Sequence, residues 1–192
     1  MSNDLIDLLF FLNSFFCHQN PSRSLFIAGL QLPLCSRCTA LNLGFAVGYT
    51  WIFYSVKRRR FYYNFNLILA LISPLAIDGL TQFLGFREST NDIRILTGAL
   101  AGAALANALG YIILRLKNID YEETDLAECL FVNFLDVSIV YLFLKAIVVL
   151  GDVIAYYILA ITLTVLAYLN NVFIPASVVY LIVRHKLKHS TI

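Results

Sequence analysis

Residues 93–114, which read IRILTGALAGAALANALGYIIL, decide the fold of this chain. The stretch is mostly apolar and is long enough for a helix that crosses a bilayer core of about 30 Å. Small residues recur in it at every fourth position and share one helix face: Gly98, Gly102, Ala106 and Gly110. A matching stripe in residues 39–56 consists of Ala40, Gly44 and Gly48. Small residues let helices approach closely in membranes, so these two helices are predicted to pack together.

The composition indicates an integral membrane protein. Of the 192 residues, 60% are hydrophobic and only 14% are charged, and the mean hydropathy is +0.78. A soluble domain is usually about half apolar and about a quarter charged. The apolar residues form long blocks without the alternation of a β-barrel, so the prediction is an all-α polytopic helical bundle. The net charge of +2 is too small to suggest a nucleic-acid partner.

The apolar blocks predict about five or six membrane helices in a single membrane domain, residues 1–192. After an outer segment (17–38), residues 39–114 form a three-helix core, and residues 126–192 form the C-terminal helices. Residues 153–183 are too long for one span unless the helix is tilted or broken, and Asn170-Asn171 with Pro175 mark the place where a break is expected. The N-terminal residues 5–16 are too short to span upright, so they predict a re-entrant or interfacial helix.

Clusters of basic residues predict which side each loop faces. Basic segments follow the blocks that end near residues 56, 114 and 183. The positive-inside rule makes these ends cytoplasmic and places residues 17–38 and 86–92 on the outer face of a multi-pass cell-membrane protein. No basic region precedes the first apolar residues, so no cleavable signal peptide is expected.

A cysteine and histidine cluster in the outer segment predicts a metal site. Cys35 and Cys38 have the C-x-x-C spacing of half a tetrahedral zinc site. Cys17 and His18 are the nearest source of the other ligands, and Asp78 is a possible substitute. The predicted cofactor is therefore zinc or another transition metal. Three ligands with an open position would suit catalysis, whereas four ligands would hold the loop together.

Two other interpretations of the cysteines stay open. Cysteines outside the cytoplasm tend to be oxidised, so Cys35 and Cys38 could form a labile disulfide with Cys17 as the exchanging thiol, or Cys17 could pair permanently with one of them. Alternatively, the thiols are buried and inert. Cys129, alone in a helix, is expected to serve packing.

Arginines near the same face predict an anion-binding pocket, since guanidinium groups bind phosphate and carboxylate in a bidentate manner. The predicted anion-binding residues are Arg23, Arg37, Arg87, Ser89, Asn91 and Arg94. The competing interpretation is that these arginines cap helices and pair with surface acids such as Glu88 and Asp92.

Two polar residues inside the membrane block 65–85 are the predicted catalytic pair. Asp78 and Gln82 are four positions apart and therefore share a helix face. A carboxylate at that depth needs a partner or a cavity. An Asp78–Arg94 ion pair that only fixes helix packing is the alternative.

Four motifs occur in a fixed order along residues 10 to 110. They are Cys-His-Gln-x-Pro-x-Arg-Ser from residue 17, Pro-Leu-Cys-x-Arg-Cys-Thr from residue 33, Asp-Gly-x-x-Gln from residue 78, and Arg-Glu-Ser-x-Asn-x-x-Arg-x-x-Thr-Gly from residue 87. In these motifs the chain resembles the uncharacterised membrane-protein family catalogued as domain of unknown function 2085. Ala40 stands where that family usually has glycine. The resemblance implies a membrane protein and supplies no activity.

Three functions agree with these observations. The first is a membrane-embedded enzyme in which a metal acts on a lipid or a small anionic substrate. The second is a structural or assembly subunit that binds other membrane subunits through its small-residue helix faces. The third is a thiol–disulfide redox protein or a small transporter. The lipid bilayer is the predicted partner in each case.

Overall fold

The computed structural model describes residues 2–61 and 64–190 and shows an all-α protein, as predicted. The helices are α1 (Ser2–Ser14), α2 (Ser36–Arg58), α3 (Phe65–Phe83), α4 (Asn91–Leu116), α5 (Leu126–Leu150), α6 (Val153–Tyr168) and α7 (Ile174–Ser190). Four short strands accompany them: β1 (Ser24–Ile27), β2 (Leu30–Cys35), β3 (Arg60–Phe61) and β4 (Glu122–Glu123). β1 and β2 pair antiparallel, and β3 and β4 pair parallel.

The two small-residue faces meet in the structure, where α2 and α4 pack along their length. A methyl group on Gly98 would collide with the backbone carbonyl of Arg37, and one on Gly102 would collide with that of Leu41. On α2, a methyl group on Gly44 would lie 2.7 Å from the carbonyl oxygen of Ala99. The small residues of both stripes are therefore buried inside the chain and do not form a free surface for a second subunit.

The number of helices suited to span a membrane is slightly lower than predicted. Within residues 2–61 and 64–190, four helices are long and apolar enough to cross a bilayer: Phe65–Phe83, Asn91–Leu116, Leu126–Leu150 and Val153–Arg184. α2 has 23 residues, but it is not among the four. Its Gly44 and Gly48 pack against Ala99 and Ala106 of α4, and its polar residues Thr39 and Asn42 are buried as well.

Residues 17–38 differ from the irregular linker that the sequence predicts. Most of the segment is the β1–β2 hairpin, and α2 already begins at Ser36. The turn uses Ala28 and Gly29, which have φ values of 50° and 78°. In the hairpin, Ile27, Leu32 and Leu34 are completely buried. Burial of these apolar side chains stabilises the hairpin, since each contributes about 1.5–3 kcal/mol.

The C-terminal block is continuous where the sequence predicts a break. Asn170 and Asn171 lie in a π-helical segment, Leu169–Phe173, that joins α6 to α7 without an interruption. Asn170 accepts a hydrogen bond from the Tyr49 hydroxyl and donates one to Asn42 Oδ1 at 2.9 Å. The wider turn thus directs a buried amide toward α2, in keeping with the use of π segments at special positions in helices. The basic side chains at 185, 186, 188 and 189 lie outside the described part.

Candidate functional site

One end of the bundle holds a cavity of about 530 Å³ between the hairpin and three helix ends. The N-termini of α2 and α4 and the C-terminus of α3 meet there. The predicted site residues on its wall are Cys17, His18, Arg23, Cys35, Arg37, Cys38, Gln82 and Arg94. Segments that are far apart in the sequence therefore share one cavity, because three helices begin or end at the same level.

Three thiols form a compact group at this cavity. The Sγ atoms of Cys17, Cys35 and Cys38 all lie within 4.8 Å of one another, and all three cysteines are free thiols. Cys17 is buried and its sulfur accepts the backbone N–H of Cys35 at 3.2 Å. The chain turns sharply after α1, strand β2 ends at Cys35, and Cys38 follows in the first turn of α2. These local features bring the three sulfur atoms together.

The chemistry of the thiol group fits a thiophilic metal ion. Zinc–sulfur bonds of about 2.3 Å place two sulfur ligands of one ion about 4 Å apart, close to the spacing found here. Hydrogen bonds from the Cys17 and Cys38 thiols lower the pKa of Cys35, and the bond to Cys35 raises the pKa of Cys17. His18 is not part of this group in the described residues and lies exposed on the cavity wall. Of the four predicted ligands, the structure brings the three thiols together.

A buried guanidinium faces the cavity without a carboxylate partner. Arg94 is only 5% exposed and donates to Asn91 Oδ1 at 2.9 Å, while its Nε has no hydrogen-bond partner. Among the described residues it forms no ion pair. Asn91 also donates to the carbonyl of Ser24 at 3.3 Å, which ties the start of α4 to the hairpin.

A second cavity of about 490 Å³ adjoins the first and shares Arg23, Gln82 and Arg94 with it. Arg87 and Ser89 complete its predicted anion-binding residues. It lies beside the N-terminus of α4, where free backbone N–H groups and the helix dipole favour negative charge. The two cavities together form a positively charged region around Arg94.

The carboxylate of Asp78 is bound by two arginines, and neither of them is Arg94. Arg37 donates to one oxygen, and Arg87 donates to the other at 2.6 Å. The Asp78 side chain is 1% exposed and lines neither cavity, whereas Gln82 lines both. The alternative Asp78–Arg94 pair is therefore wrong. The predicted surface partner Asp92 pairs instead with Lys145 at 2.9 Å.

Comparison with known proteins identifies the family of this chain. The family described as "Predicted membrane protein (DUF2085)" matches residues 17–108. An uncharacterised protein of Methanothermobacter thermautotrophicus is 37% identical over 107 residues, which cover 53% of this chain and 94% of that protein. This chain is a member of the DUF2085 family.

A second relative is covered over a smaller part of its length. An uncharacterised protein of Methanocaldococcus jannaschii is 41% identical over 97 residues, or 49% of this chain and 61% of that protein. The match thus spans about three fifths of that relative. No solved structure matches. The family segment contains every residue that lines the two cavities except Phe16, and it ends before α5 begins.

Sequence reasoning gave no role to Asn20, which also lines the larger cavity. Its side chain accepts the backbone N–H of Ser22 at 3.0 Å and so begins the short helical turn that carries Arg23. Gln19, within the first family motif, donates to the carbonyl of Pro33 at 3.1 Å. An Asn before Pro-Ser-Arg is a common turn signal, and this signal could have identified Asn20.

Proposed function

We propose that Cys17, Cys35 and Cys38 bind one metal ion, most suitably zinc, and that the site belongs to a membrane-embedded enzyme acting on an anionic substrate. The observation that carries the proposal is the proximity of three free thiols at the wall of an arginine-lined cavity. Three protein ligands leave a fourth position for water or substrate, as in catalytic zinc sites. Bound zinc supplies Lewis acidity and a water of lowered pKa.

The residues of the chain itself would bind and orient the substrate. Arg94 and Arg23 line both cavities and form no ion pair within residues 2–61 and 64–190, which suits a phosphate or carboxylate group of a lipid or a small molecule. Gln82 lies on both cavity walls and can donate a hydrogen bond to the same group. Asp78 touches no cavity, so its role is to hold Arg37 and Arg87 in place and not to transfer a proton.

We assign this site to the outer face of the membrane. α2 and α4 begin at the cavity and end in basic residues, among them Arg58 and Arg115, at the opposite end of the bundle. Basic residues accumulate on the cytoplasmic side. A membrane-impermeant maleimide applied to intact cells should label Cys35 or Cys38 in the metal-free protein and leave Cys129 unlabelled.

Metal analysis tests the proposal directly. Purified protein is expected to contain about one zinc ion per chain, which protects three of its four thiols from titration. Cys35→Ser should weaken metal binding by at least about 100-fold, because even the loss of an outer-shell contact costs 10–100-fold. The matched control is Cys129→Ser, which changes a buried cysteine of α5 outside the thiol group and should keep the metal.

Two results would contradict the metal site. One is a disulfide between any two of the three cysteines in freshly purified protein, which would favour thiol exchange instead. The other is metal-free protein whose thiols do not bind zinc when it is added. His18→Ala separates an open site from a closed one, since retention of the metal agrees with three thiol ligands and its loss would make His18 the fourth.

The anion pocket is tested with inorganic phosphate as the probe. Arg94→Gln should weaken phosphate binding about tenfold or more, because hydrogen bonds from charged groups contribute about 1.5–3 kcal/mol. Arg115→Gln removes an exposed charge at the other end of α4 and should leave binding unchanged. Calorimetric titration measures both. Equal phosphate affinities in the wild type and Arg94→Gln would exclude Arg94 as an anion ligand.

A further inference from the structure

A second concave site lies in the membrane-spanning part, away from the thiols. It is a groove of about 590 Å³ between α2 and α5. Its walls are mainly apolar and aromatic, including Trp51, Tyr54 and Phe131, and they carry two acidic residues, Glu128 and Asp136. No Lys, Arg or His lines the groove. Phe131 is exposed, so the groove is open at the outer surface of the helix bundle.

Asp136 is the unusual member of this groove. Its side chain is buried, with 5% exposure, and its Oδ1 accepts no hydrogen bond. Within the described residues it forms no ion pair, and the one lysine of α5, Lys145, is bound to Asp92. On the facing helix, Gly48 lies beside this carboxylate, since a methyl group there would be in ordinary contact with Oδ2 at 3.6 Å. Nothing in the described part of the chain neutralises this acid.

The position of Asp136 makes an unpartnered carboxylate costly. It lies ten residues after the first residue of α5, or about 15 Å along the helix axis, well inside the hydrocarbon region. Ionisable residues at such a depth face a partner, a cavity or a pathway. Asn107 donates to Asn133 Oδ1 at 2.9 Å, Asn133 donates to the carbonyl of Cys129, and neither amide donates to Asp136. A positive group bound beside Asp136 would remove this cost.

We propose that this groove binds a lipophilic cation, in which an apolar or aromatic body contacts the walls and a positive charge neutralises Asp136. The groove has the volume of a small-molecule site, and like such sites it has a mainly apolar lining with one deeply buried polar group, here Asp136. Charge complementarity selects the ligand, since the two charged residues of the lining, Glu128 and Asp136, are both acidic. The indole of Trp51 adds a favourable surface for a cation, because the face of an aromatic ring attracts positive charge. The site is independent of the metal site proposed above.

Trp51 makes the proposal directly measurable, because it is the only tryptophan of the chain. The detergent-solubilised full chain is titrated with tetraphenylphosphonium while the Trp51 fluorescence is followed. We expect a saturable change. Tetraphenylborate, an anion of nearly the same shape, and neutral triphenylphosphine oxide should bind at least about tenfold more weakly, as loss of about 1.4 kcal/mol of charge interaction implies. Equal apparent affinities for the three compounds would overturn the proposal.

Variants locate the charge that is responsible. Asp136→Asn keeps the shape of the side chain, removes the buried charge, and should reduce the affinity for tetraphenylphosphonium at least about tenfold. Asp120→Asn removes an exposed acid from the loop after α4 and should leave it unchanged. If Asp136→Asn does not fold, the selectivity of the wild type for the cation over the borate still decides the outcome. Unchanged affinity in folded Asp136→Asn would also overturn the proposal.

Discussion

Replacing Asp78 with alanine is expected to destabilise the protein by about 3–5 kcal/mol, the usual cost of breaking a buried ion pair from one side. The carboxylate is 1% exposed and is bound by both Arg37 and Arg87. Arg37 is the more deeply buried of the two arginines, and its Nε has no hydrogen-bond partner among the described residues. Without Asp78, that guanidinium would remain at the cavity without a counter-charge. Titration with sodium dodecyl sulfate in a mild detergent, followed by circular dichroism, measures the loss.

The matched control for this prediction is Asp92→Ala. Asp92 also forms an ion pair, with Lys145, but both side chains are about half exposed. Exposed pairs contribute about 0–1 kcal/mol, so this variant should unfold close to the wild type. The double variant Asp78→Leu/Arg37→Met should recover much of the loss, since both buried charges are then removed together. Similar unfolding of Asp78→Ala and Asp92→Ala would show that the Asp78 cluster does not stabilise the fold.

The second large effect is expected from Gly102→Ala in α4. The new methyl group would collide with the carbonyl oxygen of Leu41 and would lie 2.6 Å from the backbone nitrogen of Phe45. Backbone atoms of a packed helix cannot move aside as a flexible side chain can. Overpacking costs typically about 1–3 kcal/mol, and alanine returns about 1 kcal/mol in helix propensity. A net loss of up to about 2 kcal/mol is expected in the same unfolding titration.

Gly79→Ala serves as the control for Gly102→Ala. Gly79 is also inside a helix, but a methyl group there would meet only the Arg37 guanidinium at an ordinary contact distance of 3.7 Å. This variant should be as stable as the wild type or gain up to about 1 kcal/mol from helix propensity. If both glycine variants behaved alike, the close approach of α2 and α4 would not be what requires glycine at position 102.

The helical core could be predicted because its signals are local. Every-fourth-residue spacing of glycine and alanine in residues 39–56 and 93–114 predicts the α2–α4 contact, and the structure shows it. The meeting of residues 17–38 with the ends of α3 and α4 followed from counting membrane crossings. Such counting tolerates boundary errors of a few residues, and this is why the cavity contains most of the predicted site residues.

The errors arise where the rotation of helices or the local backbone decides the outcome. Whether Asp78 faces Arg94 or Arg37 depends on the rotation of α3 about its axis, and no local pattern in the sequence indicates this rotation. The hairpin was missed although Leu30, Leu32 and Leu34 alternate with Gln31 and Pro33, a period of two that is typical of a strand. Proline in β2 favoured a linker, but proline is tolerated in the edge strands of which this two-stranded hairpin consists.

The packing of α6 against the hairpin has a consequence for shorter relatives. Ile27, Leu32 and Leu34 are fully buried in one core with Tyr156 and Leu163 of α6, and the Tyr156 hydroxyl donates to the carbonyl of Gln31 at 3.0 Å. The family segment ends at residue 108, before this cover begins. A homologue that stops near that point would expose an apolar surface on the hairpin, which lipid acyl chains or a neighbouring polypeptide would have to cover. In this chain, α6 covers that surface.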